Sequence, residues 1–321
     1  MKPKAKVAAP RPPRYLRVQD VRALRHMLFT TRRPVAGLYA GRHPSPQRGR
    51  SVEFNDYREY TPGDSPGDID WKVFGRTERL VVKLFEHQSD LAVSLLVDGS
   101  SSMAYRGLPV QGLQRGNSIV AVELSKYDQA CLLAAAIGFL TIKQQDHVSF
   151  GVARGGLGAF HPAHSSLVHL RSVLAAMEKN APKPDTPARL GEALTAFAQR
   201  VKRKGLVIVC SDLMEDMDDI LRALSIFTHR GNDVIAFHVL HPHELELPST
   251  EETLFIDSET GEELRLDVAA VRPLYEERLR NYLDAWTAAL RQRGIDYTRV
   301  RTDEPFQKAL EGYLFRRSTV R

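Results

Sequence analysis

The stretch LLVDGSSSMAY, residues 95 to 105, ends an apolar run in one carboxylate and three hydroxyls: Asp98, Ser100, Ser101 and Ser102. In an extended loop, a spacing of two keeps Asp98, Ser100 and Ser102 on one side and turns Ser101 away. Two more oxygen donors occupy comparable places. Thr186 lies in KPDTPARLGEAL directly before a helical segment, and Asp212 closes GLVIVCSD. Two carboxylates and three hydroxyls, with no Cys or His beside them, are a donor set for a hard cation. Mg²⁺ (or Mn²⁺) fits such oxygens and retains waters, so the expected chemistry is ion binding, with a coordination position that an acidic side chain of a partner could fill. Stripped of their surroundings, Asp98 and the serines would also suit a polar turn with a helix N-cap, and Thr186 before Pro187 would suit a cap.

The elements that must position these donors are legible from residue 91 onward. Short runs rich in Val, Ile and Leu (91–97, 147–153, 205–211 and 233–240) alternate with segments of helical period at about 126–144, 165–178, 189–203 and 216–230. This is the pattern of a parallel sheet covered on both faces, and it predicts a doubly wound, mostly parallel α/β domain over 91–321. In such sheets ligands bind beyond the carboxyl ends of the strands, where Asp98 and Asp212 fall. Further on, 253–267 reads as a β-hairpin turning around Glu259, Thr260 and Gly261, 269–293 as a long amphipathic helix, and 296–302 as a last strand, with Pro305 opening a final helix.

Before residue 91, SVEFNDYREY (51–60) and RLVVKLFEHQ (79–88) read as strands of a small β-rich accessory unit over 35–90, joined by the turn-rich TPGDSPGD. Tyr57, Arg58, Glu59, Tyr60, Asp64, Asp70, Trp71 and Lys72 mix charges and rings there. They would suit a contact surface for a partner or the neighbouring domain, but buried Arg and Asp pairs with Trp71 packed between them are the favoured expectation. Residues 1–34 form a basic, Pro-rich arm with a composition that favours a solvated leader. The first 50 residues hold 13 Lys or Arg against the single acid Asp20, so the net charge of +6 becomes −6 for the remainder. Only Cys131 and Cys210 occur, both inside apolar segments, which suits a reduced, cytoplasmic setting. The longest apolar stretch, CLLAAAIGFL, is far short of the roughly 20 residues that span a bilayer. His241 and His243 are expected to be loop residues.

Asp98, Ser100 and Ser102 as D-x-S-x-S, followed in order by Thr186 and Asp212, resemble the metal-ion-dependent adhesion site (MIDAS) of von Willebrand factor A domains. Upstream, FNDYREYTPGD and IDWKVFGRTERLVVKLFE, and downstream DSETGE and TDEPFQKALEGYL, are similar to the bacterial family catalogued as domain of unknown function 58 (DUF58), over roughly residues 35 to 317. The resemblance implies a von Willebrand A-like domain that acts as a binding module and not an enzyme. It implies that Ser100, Ser102 and Thr186 contact the ion directly, with the aspartates often acting through water. It also implies partnership with a MoxR-type AAA+ ATPase as an adaptor in complex assembly or maturation. Two features depart from the family pattern. Gly67 stands where the family has an arginine shortly before I-D-W, and an extended segment, residues 104–125, follows Met103 beside the expected ion.

Two other classes compete. Asp98 could be the nucleophile of a haloacid-dehalogenase-like phosphatase, but that motif needs a second Asp two residues on, and Ser100 stands there. No G-x-S-x-G elbow, phosphate-binding P-loop, H-E-x-x-H or C-x-x-C motif occurs. Nucleic acid or an anionic surface could be met by the basic arm through phosphate contacts, although nothing resembles a base-reading module. Such binding would fade steeply with salt and vanish from a chain beginning near residue 50. Under the protein-binding reading, a gel-retardation salt series on the two chains shows no arm-dependent shift at physiological salt.

Overall fold

The computed structural model describes residues 14–24, 53–61, 67, 69–86, 91–107, 124–184, 186–247, 252–257 and 260–319. Most of the expected covering segment after Met103, residues 108–123, lies outside them. The chain divides into two compact units, one of Met1–Arg32 with Leu91–Arg321 and one of Arg33–Asp90.

In the smaller unit, β1 (Glu53–Glu59) pairs antiparallel with β2 (Val81–Glu86). The segment between them is more than a turn, because α2 (Trp71–Thr77) forms within it. The Asp70 side chain caps α2 by accepting from the backbone N–H groups of Lys72 and Val73. Trp71 departs from the expectation: it is 59% exposed, with its ring edge-on to Phe74 at 6.1 Å, and is not packed between buried ion pairs.

The larger unit is a mixed α/β structure built on six strands: β3 (Ala92–Asp98), β4 (His147–Ala153), β5 (Leu157–His164), β6 (Gly205–Ser211), β7 (Asp233–Leu240) and β10 (Asp296–Arg301). Their order is β10-β7-β6-β3-β4-β5, with all neighbours parallel except the β4–β5 pair. The central strands carry continuous apolar runs because both faces are covered. On one face α3 (Lys126–Lys143) packs with α4 (Leu167–Lys179) and α9 (Phe306–Thr319). The other face is covered by α5 (Leu190–Arg200), α6 (Met217–His229) and α8 (Val268–Gln292), where Leu96, Val207 and Val209 meet Leu194, Phe197, Phe227 and Trp286. A short α7 (Pro242–Leu245) follows β7, and β8 (Glu252–Ile256) pairs with β9 (Glu263–Asp267) in the expected hairpin. Gly261, at φ +73°, supplies the left-handed residue of its turn. Strand β5 was not expected. Its sequence LGAFHPAH holds Pro162, which an edge strand tolerates beside the register shift between Val148 and Phe150.

Close approach of β3 and β6 requires Gly205, where a Cβ would stand 2.0 Å from the Ala92 carbonyl oxygen. Helix α3 is buried almost all round, and its N-terminus is fixed twice. Ser125 and Asp128 form a reciprocal capping box. Part of the expected solvated arm is then folded onto the same turn. Residues 14–24 include α1 (Val18–Ala23), and Tyr15 and Leu24 are buried. The Tyr15 hydroxyl donates to Asp128 Oδ1 at 2.9 Å, and Arg14 pairs with the same carboxylate at 2.8 Å. No helix among the described residues is long and apolar enough to cross a membrane. Since a hydrogen bond to a buried carboxylate is charge-assisted, Tyr15→Phe is expected to cost about 1–2 kcal/mol in urea unfolding, and an unchanged midpoint would remove this tether from the account.

Candidate functional site

Asp98 is the last residue of β3, and its carboxylate is buried. Gly99 turns the chain by donating its N–H to the Ala153 carbonyl at 2.7 Å. One Asp98 oxygen accepts from the backbone N–H of Ser100 at 2.9 Å, and the other accepts from the Ser211 hydroxyl at 2.6 Å. Ser211 ends β6, the parallel neighbour of β3, so adjacency of the two strands brings these groups together.

The loop after Asp98 is not extended. Ser101–Ala104 form a 3₁₀ turn with Ser100 as its N-cap residue. The tighter winding still places the Ser100 and Ser102 hydroxyl oxygens 3.1 Å apart. Ser101 points elsewhere, donating both its N–H and its hydroxyl to the Thr186 carbonyl at 3.1 Å. The Thr186 loop is therefore pinned to the serine turn through its backbone. Thr186 does not cap α5, where Arg189 is the N-cap residue.

Asp212 follows β6 and is buried. One of its oxygens accepts from the Met214 N–H at 3.3 Å, and the nearby Ser102 hydroxyl helps to hold its carboxyl pKa down. The other oxygen accepts from Lys126 Nζ at 2.7 Å. Lys126 is the first residue of α3 and its side chain is 1% exposed. The same ammonium reaches Glu244 Oε1 in α7 at 2.5 Å. Sequence reasoning missed Lys126, Glu244 and Ser211. A lysine at the head of a largely apolar helix was the one available signal.

The charges at this end of the sheet do not cancel. Asp212 and Glu244 share one ammonium and Asp98 neighbours Asp212, so the three carboxylates and one lysine leave two negative charges when all are ionised. Burial, and then the neighbouring Asp212, push the Asp98 carboxyl up to about 6 against the bonds from Ser211 and Ser100. Burial works against ionised Asp212 as well, but the Lys126 ammonium outweighs it and holds that carboxyl below its ordinary range. Burial disfavours the Lys126 charge, yet Asp212 and Glu244 more than offset this and raise its pKa to about 12. His238, buried beside them, is pushed down to about 4 by desolvation and so stays neutral. His241 precedes α7 and caps it by accepting from the His243 N–H, whereas His243, also expected in a loop, lies within that short helix.

This donor set fits a hard divalent cation on two counts. Adjacent oxygens around octahedral Mg²⁺ lie about 2.9 Å apart for metal–oxygen distances of 2.0–2.1 Å, close to the separation of the two serine hydroxyls. The two uncompensated charges also match one such ion. Among the described residues no group of three or more His, Cys, Asp or Glu is placed to hold a metal, so an ion here would depend on the hydroxyls.

The family model described as "Protein of unknown function DUF58" matches residues 56–283. Curated relatives include Uncharacterized protein Rv1480 of Mycobacterium tuberculosis (strain ATCC 25618 / H37Rv) and Uncharacterized protein Mb1516 of Mycobacterium bovis (strain ATCC BAA-935 / AF2122/97). Each is 28% identical over 243 residues, which cover 74% of this chain and 71% of the relative. Among solved structures, BatB from Bacteroides thetaiotaomicron aligns at 15% identity and a TM-score of 0.46, over 71% of this chain and 99% of that one. An aerotolerance-related membrane protein from Bacteroides fragilis NCTC 9343 aligns at 13% and 0.46, over 72% and 100%.

The raised Asp98 carboxyl has a stability consequence. In metal-free protein the folded state holds a proton between pH 3.8 and about 6 that the unfolded chain has released, so stability falls as pH rises through that window. Asp98→Asn removes this dependence. Its stability relative to the parent is expected to improve by on the order of 2–3 kcal/mol from about pH 4 to about pH 7. Denaturation in EDTA at each pH reads this, and a flat difference contradicts it. By the extent of the family match, the chain belongs to the DUF58 family.

Proposed function

We propose that the larger unit is a metal-dependent protein-binding module, in which Asp98, Ser100, Ser102, Thr186 and Asp212 hold Mg²⁺ or Mn²⁺ and the ion receives an acidic side chain of a protein partner. The observation that carries this reading is the meeting of the Ser100 and Ser102 hydroxyls, 3.1 Å apart, with two buried carboxylates from neighbouring strand ends. The order of the five donors matches the MIDAS pattern of von Willebrand A-like domains. A bound divalent ion would supply the positive charge that draws in the partner's carboxylate. The chain's own groups do the rest. Ser211 and the Ser100 N–H fix the rotamer of Asp98, and Ser101 clamps the Thr186 loop to the turn.

A carboxylate-bearing segment of a MoxR-type AAA+ ATPase is the proposed partner, with this chain as its adaptor in assembly or maturation of other complexes. Neutral hydroxyls leave the ion much of its charge, so the ion is a stronger acceptor for an incoming anion than one caged by carboxylates. No catalytic role is assigned. Titration calorimetry with Mn²⁺ should show one site in the parent chain and at least a tenfold loss of affinity in Asp98→Ala, with a smaller loss in Ser102→Ala. Affinity capture followed by mass spectrometry should recover the ATPase with Mg²⁺ and lose it in EDTA. Equal capture by Asp98→Ala in EDTA would remove the ion from the mechanism.

A further inference from the structure

The ammonium of Lys126 already stands where positive charge is needed. It is held in a buried site, 2.7 Å from Asp212 Oδ2 and 2.5 Å from Glu244 Oε1. Its backbone N–H donates to the Tyr105 carbonyl at 3.1 Å, directly after the serine turn, so the head of α3 and the donor loop are tied together. Two carboxylates share this one cation, and they differ in position. Asp212 is almost fully buried and also accepts from the Met214 N–H, whereas the Glu244 side chain is 26% exposed. Glu244 is independently anchored: its other oxygen accepts from the His241 N–H at 2.7 Å, and its carbonyl accepts from the Tyr275 hydroxyl at 2.6 Å.

We propose that Lys126 is a tethered competitor of the divalent cation: without metal it neutralises Asp212, and on metal binding it yields Asp212 and remains paired with Glu244. The inference rests on the cation-site reading above and adds regulation to it. An ammonium and a divalent ion cannot both sit against one buried carboxylate without strong repulsion, since the interior screens charge poorly. Glu244 gives the displaced ammonium a partner, so the exchange leaves no unpaired buried charge. The site then has weak affinity for metal alone, and the partner's carboxylate supplies the missing part of the binding energy. Occupancy of the ion and of the partner becomes mutually dependent, as linkage requires.

The test uses the full chain and Mn²⁺ as the probe. Lys126→Met keeps the length of the side chain and removes its charge. It is expected to bind Mn²⁺ at least tenfold more tightly than the parent by calorimetry, to melt below the parent in EDTA, and to regain most of that loss when Mn²⁺ is added. Should Lys126→Met not fold, Glu244→Gln reads the same exchange: it strands the ammonium on Asp212 and is expected to weaken Mn²⁺ binding severalfold. Equal or weaker Mn²⁺ binding by a cooperatively melting Lys126→Met protein, with the parent still binding, overturns the role of Lys126 alone. Absence of binding in both proteins, with Asp98→Ala indistinguishable from them, overturns the cation site and this inference with it.

Discussion

Two carboxylates buried at neighbouring ends of a parallel sheet must be compensated, because desolvating an unpaired charge costs several kcal/mol. The larger unit compensates them differently. Asp98 receives hydrogen bonds from Ser211 and from the backbone of Ser100, which stabilise its charge without cancelling it. Asp212 receives a full ammonium from Lys126. Burial, and then the neighbouring Asp212, still raise the Asp98 carboxyl against those bonds, whereas the ammonium lowers Asp212, and the local charge stays negative even with the lysine in place.

The rest of the unit holds this arrangement still. Strands β3 and β6 are parallel neighbours, so their carboxyl ends lie side by side and Ser211 reaches Asp98. Helix α3 delivers Lys126 from its first residue, and the capping box, Tyr15 and Arg14 all act on Asp128 in that same turn. The Thr186 loop is drawn in by Ser101 and not by its own hydroxyl. Each of these oxygens is thus placed by a rigid element or by a backbone hydrogen bond.

Legibility in the sequence followed the strength of local periodicity. Strands β4, β6 and β7 fall where their apolar runs place them, since a strand covered on both faces has no polar side to blur its limits. The hairpin of β8 and β9 and the long α8 were equally plain. Edge strand β5 escaped notice because two histidines and Pro162 interrupt its pattern. Helix α2 escaped because it is only seven residues long and starts at an aromatic residue; its signal was the Asp70 cap. Trp71 was expected inside, packed between buried Arg and Asp pairs, and its exposure shows that residue type without a face to bury it decides little.

The sequence by itself determined that Asp98 and Asp212 fall at strand ends, because strand and loop identity are encoded within windows of a few residues. It also determined that the Ser100 and Ser102 side chains fall on one side, a placement that survived the change from an extended loop to a 3₁₀ turn. Only the tertiary structure decided which charge answers Asp212. Lys126 lies 86 residues from Asp212 and 118 from Glu244, and no local pattern links them. Their meeting is set by the order of strands in the sheet and by the docking of α3 on it. Charge pairing in a buried site follows from which chain ends the core packing brings together, and that is a property of the assembled fold.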